Sequence, residues 1–270
     1  MRDQGRERGA GMFRLIHVGV YVVGYLLLKL GKLKTLMKTA ETDPRKAEEE
    51  SQIFVKQVMT GILKAAGVQV HVTGLENIPK DTAVLYVGNH RSYFDVISGY
   101  AYVPGRLGFV AKEEIRKVPV LAEWMKLLRC VFLNRSNPRE GLKAILEAIG
   151  NVRSGTSMWI FPEGTRSTGS ELDMLPFREG SMKIAEKAKC PVVPVAFTGT
   201  AEVFEKHFPR ITAGEITLHF GEPFSIADLP DDQRKTSAAY VQNRIREMIC
   251  EDLGIPYQPA AGIGENGKES

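Results

Sequence analysis

One histidine and one aspartate stand five positions apart in segment 89–95, directly after the apolar run 83–87. A histidine titrates near neutral pH, so His90 can take a proton from a hydroxyl group. A carboxylate bound to the second ring nitrogen fixes the tautomer of the imidazole and stabilises its cation. His90 and Asp95 are therefore a candidate general base and its orienting partner.

The spacing of this pair sets the local structure that it needs. Five residues of continuous α-helix turn the chain by about 500°, which leaves the two side chains roughly 140° apart. A contact therefore requires His90 in a turn between strand and helix and Asp95 in the first helical turn, with Asn89 or Ser92 as the cap. The same residue types also suit a purely structural arrangement, in which Asp95 and Ser92 cap a helix and His90 is an ordinary turn residue.

A second polar segment, 161–167, follows another apolar strand pattern and is expected at the same edge of the sheet. In this segment Gly164 permits a close approach of the backbone, and Thr165 offers a hydroxyl group. Arg166 presents a planar fork of donors that matches phosphate oxygens. The segment therefore suits a phosphoryl group better than an apolar ligand, and the alternative is a surface turn with a solvated arginine.

Two further cations follow neighbouring strand patterns. Arg135 comes after the apolar run 130–133, and Lys112 comes after 107–111. Each alone is typical of a solvated surface charge. Together with Arg166, beside His90, they would make an anion pocket next to a base.

Composition and charge restrict the function classes. The chain has 270 residues, of which 43% are hydrophobic and 25% charged, which fits one large domain with an appendage. Residues 1–46 contain ten Lys/Arg against four Asp/Glu. Positive charge in an apolar segment favours an anionic membrane surface as partner over nucleic acid. The three cysteines are far apart, which favours free thiols in a reducing compartment over disulfides or zinc.

Several common enzyme signatures are missing from the sequence, namely HExxH, CxxC and the GxSxG elbow. Their absence argues against zinc proteases, CxxC redox proteins and serine hydrolases.

The N-terminal segment 1–66 predicts two helices. The first, 15–30, is nearly all apolar and reaches about 24 Å, short of the roughly 30 Å hydrocarbon core. Basic residues flank both of its ends, so we expect an interfacial helix that enters one leaflet, with a single span as the alternative. The second, 47–66, is amphipathic; it predicts either the second arm of a membrane-docking pair or a core helix. Following a basic apolar helix, it favours the docking arm.

From Val68 onward, short strand patterns alternate with helical ones, which predicts an α/β fold with a mixed, largely parallel sheet flanked by helices. We assign 67–253 to this domain and expect a mobile tail over 254–270. Strands are predicted, in order, at 68–72, 83–88, 107–111, 130–133, 158–161, 191–197 and 215–220.

The order of the polar segments resembles that of a known family. The four sequence blocks of the glycerolipid acyltransferases match, in order, Asn89-His90-x4-Asp95, the stretch from Phe132 to Arg135, the stretch from Phe161 to Ser167, and Val193-Pro194-Val195. The chain is thus similar to the bacterial 1-acyl-sn-glycerol-3-phosphate acyltransferases, in layout over about 47–253. An HxxxxD pattern alone is weak, whereas HxxxxD followed by FPEGTRS is highly specific. Asn134 stands where many relatives carry an acid, which bears on substrate choice and not on the chemistry.

The resemblance implies acyl transfer from acyl-CoA or acyl-carrier protein to the sn-2 hydroxyl of lysophosphatidic acid, giving phosphatidic acid. It implies His90 as general base with Asp95 as its partner. We expect no acyl-enzyme, because no activated serine or cysteine is visible in the sequence, and no metal or cofactor is needed for this chemistry. For the acceptor phosphate it implies Arg135, Arg166 and, as a further candidate, Lys112, on a loop shaped by Gly164 and Thr165. We expect Glu163 to orient an arginine or to bind a glycerol hydroxyl, because a carboxylate repels phosphate.

Alternatives differ in acceptor or in class. The same chemistry can serve glycerol-3-phosphate, dihydroxyacetone phosphate, another lysophospholipid or a lyso-aminolipid. A non-catalytic membrane-binding relative and a thioesterase that activates water at His90 belong to other classes. The expected location is the cytoplasmic face of the cytoplasmic membrane, as a monotopic or single-pass protein. The donor, the acyl-chain length and the oligomeric state stay open.

Overall fold

The computed structural model describes the backbone of residues 2–257 and the side chains of residues 9–257. Most of the predicted C-terminal tail, 258–270, lies outside the described residues. The helices are α1 (Arg2–Leu28), α2 (Leu30–Thr42), α3 (Pro44–Ala66), α4 (Tyr93–Tyr102), α5 (Pro119–Leu127), α6 (Pro138–Arg153), α7 (Lys183–Ala188), α8 (Thr200–Val203), α9 (Asp231–Lys235) and α10 (Ser237–Leu253). The strands are β1 (Val68–Thr73), β2 (Leu85–Gly88), β3 (Leu107–Lys112), β4 (Val131–Leu133), β5 (Ser157–Ile160), β6 (Val192–Thr198) and β7 (Gly214–Phe220).

The strands form a seven-stranded sheet in the order β1-β7-β6-β2-β5-β3-β4. Neighbouring strands are parallel except β6 and β7, which are antiparallel. The mixed, largely parallel sheet that the sequence predicts is therefore confirmed. Because β2, β3, β4, β5 and β6 run in one direction, the loops that follow them open at the same edge of the sheet.

Local sequence signals explain where the helices begin. Asp43 accepts a hydrogen bond from the backbone N–H of Lys46 at 3.0 Å, and Pro44 occupies the first turn of α3. Asn137 caps α6 in the same way, by accepting from the N–H of Arg139 at 3.1 Å. In both places a polar cap precedes a proline, which has no backbone N–H to leave unpaired.

The helix α3 is a core helix, which corrects the expectation that 47–66 is an arm for the membrane. Its apolar residues Phe54, Val58 and Ile62 are buried in the same core as Trp159 of β5. The ring of Phe54 stacks on Trp124 of α5 with centroids 4.5 Å apart. A periodic apolar face looks the same in a sequence whether protein or lipid covers it, so only the packing decides.

The helix α1 packs one side against α3 and exposes the other. Tyr25 of α1 contacts Phe54 with ring centroids 4.7 Å apart. At Gly61 of α3 an added Cβ would overlap the hydroxyl group of Tyr21, so the two helices approach closely there. The outward side carries exposed apolar residues, namely Met12, Phe13, Ile16, Val20, Val23, Leu27 and Leu28.

The apolar part of α1 is longer than the sequence pattern indicated. Residues Gly9–Leu28 form a stretch of 20 residues that is apolar enough to cross a membrane, the single such helix among the described residues. At 1.5 Å per residue this stretch is about 30 Å long, close to the hydrocarbon thickness. The chain then breaks at Lys29 before α2 begins.

Candidate active site

The strand-to-helix turn after β2 brings His90 and Asp95 into contact. Nδ1 of His90 lies 2.8 Å from Oδ2 of Asp95, whose side chain is completely buried. The same oxygen accepts the backbone N–H groups of Arg91 and Ser92 at 2.7 and 2.8 Å. The hydroxyl of Ser92 caps α4 by accepting from the N–H of Phe94 at 3.0 Å. As the spacing required, His90 lies in the turn and Asp95 in the first helical turn.

The other candidate cap, Asn89, has a different partner. Its side-chain amide donates to the carbonyl of Phe197 at 2.9 Å and accepts from the N–H of the same residue at 2.8 Å. Asn89 therefore joins the end of β2 to β6 and fixes the start of the turn that carries His90.

The imidazole of His90 is held on two sides. Its ring stacks on Phe161, with centroids 4.1 Å apart and an angle of 15° between the planes. With Nδ1–H donated to Asp95, the second nitrogen, Nε2, carries the free lone pair. The side chain is 19% exposed, so the geometry suits proton transfer with a bound molecule.

Glu163 fixes the backbone of His90. Its Oε1 accepts the N–H of His90 at 2.7 Å, and its Oε2 accepts the N–H of Leu175 at 2.8 Å. Glu163 is buried, and this burial raises the pKa of its carboxyl group. The expectation that Glu163 orients an arginine or binds a hydroxyl is not what these contacts show, because both oxygens are engaged by the main chain.

The loop 161–171 is hydrogen-bonded to the turn of His90 at two more points. The N–H of Ser167 donates to the carbonyl of His90 at 2.8 Å. The guanidinium of Arg91, 1% exposed, donates to the carbonyls of Gly169, at 2.7 Å, and Ser170. The sequence predicted segments 89–95 and 161–167 at one edge of the sheet, and in the structure hydrogen bonds join the two.

Arg135 reaches this loop from the end of β4. Gly164 adopts a positive φ of 81°, and a Cβ placed on it would lie 2.9 Å from Nη1 of Arg135. The absence of a side chain at Gly164 therefore makes room for the guanidinium. Partial burial lowers the pKa of Arg135, and the nearby charge of Arg178 adds to the shift.

Arg166 stands in a different environment. Its Nη1 donates to Oε1 of Glu205 at 2.7 Å, and its guanidinium lies 4.0 Å from the ring centroid of Tyr93. The charge of Arg166 is thus paired and its plane is stacked. Thr165, just before it, is exposed.

Lys112 ends β3 at the same edge of the sheet. Its Nζ lies 3.0 Å from Oε1 of Glu114, and both side chains are more than half exposed. An exposed ion pair of this kind contributes about 0–1 kcal/mol, so an anion can replace the carboxylate at little cost. The three predicted cations, Lys112, Arg135 and Arg166, therefore lie at one edge of the sheet. Of these three, Arg135 alone forms no ion pair with a carboxylate of the described residues.

Comparison with known proteins assigns the family. A family model described as Acyltransferase matches residues 69–198. The 1-acyl-sn-glycerol-3-phosphate acyltransferase of Bacillus subtilis is 30% identical over 203 residues, which cover 72% of this chain and 95% of that protein. The chain belongs to the acyltransferase family.

Other members of the acyltransferase family are longer or have a known structure. The protein of the same name from Saccharomyces cerevisiae is 32% identical over 196 residues, and the alignment spans 72% of this chain and 63% of the yeast chain. The alignment with the chloroplastic 1-acyl-sn-glycerol-3-phosphate acyltransferase BAT2 of Brassica napus spans 56% of the Brassica chain. The crystal structure of the 1-acyl-sn-glycerophosphate acyltransferase PlsC from Thermotoga maritima superposes with a TM-score of 0.74 at 27% identity, covering 93% of this chain and 99% of that one.

In this member of the acyltransferase family, sequence reasoning missed several residues that contact the predicted site, among them Glu205, Tyr93 and Arg178. Glu205 and Tyr93 hold Arg166, and Arg178 adds its charge beside Arg135. The backbone N–H of Arg178 donates to the carbonyl of Pro162 at 3.3 Å, which brings that residue to the loop. Tyr93 lies inside the HxxxxD block, but Glu205 and Arg178 carry no local pattern that sets them apart from surface charges.

Proposed function

We propose that the protein transfers a fatty acyl group from a thioester donor to the sn-2 hydroxyl of lysophosphatidic acid, giving phosphatidic acid. The observation that carries the proposal is the 2.8 Å contact between His90 and buried Asp95, on the sheet edge where Arg135 packs against Gly164. A base beside an arginine that no carboxylate pairs suits an acceptor with a hydroxyl and a phosphate. Relatives from Bacillus subtilis and yeast are named for this reaction.

His90 acts as general base and then as general acid. Nε2 takes the proton of the acceptor hydroxyl while the oxygen attacks the thioester carbonyl carbon, forming the new C–O bond. Asp95 stabilises the imidazolium that results, because its Oδ2 already holds Nδ1–H. When the C–S bond breaks, the same proton passes from Nε2 to the leaving sulfur, so the histidine returns to its neutral form.

The acceptor phosphate is bound by the cations at the sheet edge. Arg135 offers a guanidinium without a carboxylate partner among the described residues, so its bidentate donors are free for phosphate oxygens. Arg166 donates Nη1–H to Glu205 and stacks on Tyr93, so its positive charge is held in a fixed orientation. Lys112 supplies a further cation after exchanging Glu114 for the ligand. Gly164 and Thr165 shape the loop between them.

The donor is acyl-CoA or acyl-carrier protein. Both present the same acyl-phosphopantetheine thioester, so His90 meets the same reacting atoms with either. The acyl group passes directly to the acceptor, since the hydroxyl is the nucleophile that His90 activates.

The helix α1 keeps the site at the bilayer surface. Its outward apolar side would lie in the membrane interface, while its inner side stays packed on α3. Lysophosphatidic acid with one chain and phosphatidic acid with two both reside in that interface. A protein docked on the cytoplasmic face of the cytoplasmic membrane meets the water-soluble donor there.

The test is thiol release from a long-chain acyl-CoA by purified protein in detergent micelles, with and without lysophosphatidic acid. Wild type should release thiol only with acceptor, and His90→Ala should lose at least a hundredfold in rate. His71→Ala, at an exposed histidine of β1, is the matched control and should keep the wild-type rate. Acyl-carrier protein is tested as a second donor.

Two outcomes would count against the proposal. Equal thiol release with and without acceptor would assign the protein to the thioesterases. An active His90→Ala variant would remove the general base from the mechanism.

A further inference from the structure

A loop on the active-site edge of the sheet exposes an aromatic side chain. We call residues 204–211, between α8 and β7, the Phe208 loop. Phe208 is 72% exposed, more than Tyr93 at 55% or Phe13 at 69%. A phenyl ring left in water forgoes the favourable free energy of burying its apolar surface. Such a ring at a loop tip, and not in the core, fits an apolar partner outside the chain.

The position of the Phe208 loop identifies the partner. The N–H of Ile211 donates to the carbonyl of Gly11 in α1 at 3.2 Å. A Cβ added to Gly11 would lie 3.1 Å from Cβ of Arg210, so helix and loop are in direct contact. Gly11 is followed by the exposed Met12 and Phe13 at the start of the outward apolar side of α1. The loop that carries the exposed ring is therefore joined to the end of α1 where the surface assigned above to the bilayer begins.

The charges around Phe208 match a membrane interface with anionic lipids. Lys206, His207 and Arg210 lie within two positions of the ring in the chain. Lys206 and His207 lie 2.5 and 3.8 Å from carboxylate oxygens of Glu202, whereas Arg210 has no carboxylate partner among the described residues. An exposed ion pair contributes little to stability, so lipid phosphates can replace Glu202. An aromatic ring that enters the acyl boundary, with cations at the headgroup level, is a usual pattern of interfacial segments. Basic residues near the surface of an anionic leaflet strengthen binding to it.

We propose that the Phe208 loop is a second membrane contact, which inserts Phe208 into the bilayer interface beside α1. The inference rests on the membrane docking of α1 in the proposed function. Two separated contacts fix the orientation of the protein on the surface, whereas a single helix leaves it free to rotate about the helix axis.

The loop also connects the bilayer to the acceptor site. Phe208 packs edge-on against Phe204 at 5.5 Å, and Phe204 lies 6.3 Å from Tyr93, on which Arg166 stacks. Glu205, in the same loop, bonds to Arg166 at 2.7 Å. Insertion of Phe208 therefore places the guanidinium of Arg166 at a defined height above the headgroups, where an acceptor phosphate lies.

The experiment places a fluorescent label at the loop and measures its quenching by brominated lipids. Cys130, Cys190 and Cys250 are buried, so a thiol-reactive bimane label reacts at an introduced surface cysteine. The variants are Phe208→Cys, Phe13→Cys on α1, and Leu142→Cys, at a 60% exposed leucine of α6, a helix that packs on α7 and the sheet. The vesicles contain about one third phosphatidylglycerol.

Quenching at Phe208→Cys and Phe13→Cys, with none at Leu142→Cys, is the expected result. Quenching at Phe13→Cys alone would overturn the second contact and leave α1 docking intact. Quenching at neither site would overturn both membrane statements. Thiol release in micelles, measured on the same labelled proteins, reports separately on the acyl transfer reaction.

A second measurement avoids the label. Phe208→Ser should weaken the apparent affinity for these vesicles by about 10–100-fold, as expected for removing one inserted phenyl ring. Leu142→Ser should bind like wild type. Equal binding of Phe208→Ser and wild type would contradict the proposal.

Discussion

The main-chain N–H of His90 donates a 2.7 Å hydrogen bond to Oε1 of Glu163. The carbonyl of His90 accepts from the N–H of Ser167 at 2.8 Å. The backbone of His90, the proposed base, is therefore held on both sides by the loop 161–171, which also carries Arg166 of the proposed acceptor site. Both oxygens of Glu163 accept main-chain N–H groups, so we infer that Glu163 positions the histidine and does not contact substrate.

Substitution of Glu163 by Gln should lower kcat and leave KM for lysophosphatidic acid nearly unchanged. The amide keeps one acceptor and turns an NH2 group toward a backbone N–H, which displaces the turn of His90. A displacement of this size costs about 10–100-fold in rate. Steady-state kinetics in micelles measure the two constants, with the exposed Glu222→Gln as control. A raised KM with normal kcat would instead show that Glu163 binds the acceptor.

Asp95→Asn should lower kcat strongly and the stability of the fold only slightly. The amide oxygen can still accept the N–H groups of Arg91 and Ser92 that Oδ2 accepts now, so α4 should lose about 1 kcal/mol at most. The amide cannot stabilise an imidazolium, so kcat should fall by about 10²–10⁴-fold. Thermal melting and kcat are compared with Asp43→Asn, which alters the cap of α3. A variant with wild-type kcat would contradict the role of the pair.

Gly164→Ala should raise KM for lysophosphatidic acid several-fold. Its φ of 81° strains any side chain by about 1–2 kcal/mol, and the new Cβ would displace the guanidinium of Arg135 from 2.9 Å. Gly105→Ala is the matched control, since Gly105 has a φ of 73° and nothing within 4 Å of the added Cβ. Both variants should lose similar stability in urea unfolding. If KM rises equally in both, strain and not Arg135 explains the effect.

A second histidine–carboxylate pair, His219 with Asp252, should make the free energy of unfolding depend on pH. Nδ1 of His219 lies 3.0 Å from Oδ1 of Asp252, and this hydrogen bond raises the pKa of the imidazole in the folded protein. The stabilisation is fully present below the unfolded pKa of about 6.5 and is lost as pH rises through the raised folded value. We expect His219→Gln to cost on the order of 1 kcal/mol at pH 5.5 and less at pH 9.

Urea unfolding at both pH values measures the His219 effect. His71→Gln removes an exposed histidine paired with Glu215 at 3.2 Å, and such a pair contributes little. A cost for His219→Gln that is the same at pH 5.5 and pH 9 would show that packing, not the ion pair, is responsible.

The sequence predicted the strand ends and the contact between His90 and Asp95 because both depend on short-range rules. Apolar runs followed by polar turns define strand ends, and a five-residue spacing leaves one geometry in which the two side chains meet. The role of Glu163 was out of reach, because one of its partners, Leu175, lies twelve positions further along the chain. The partner of Arg166 is 39 positions away, and no local pattern connects Arg166 with Glu205.

The amphipathic stretch 47–66 shows a different limit. Phe54, Val58 and Ile62 follow the helical period, and that period is the same for a helix against lipid and a helix against a sheet. The preceding basic helix favoured lipid, whereas the stacking of Phe54 on Trp124 buries this face in protein. Periodicity specifies the face and leaves its partner to tertiary structure.

The rings of Tyr25, Phe54 and Trp124 form one column through α1, α3 and α5, with successive centroids 4.7 and 4.5 Å apart. Removing α1 from the chain would therefore expose Phe54 of α3 and the aromatic packing behind it to solvent. Replacing the exposed residues Phe13, Ile16, Val20 and Val23 with polar ones while Tyr21 and Tyr25 are retained would instead remove much of the outward apolar side of α1 and keep its packing on α3.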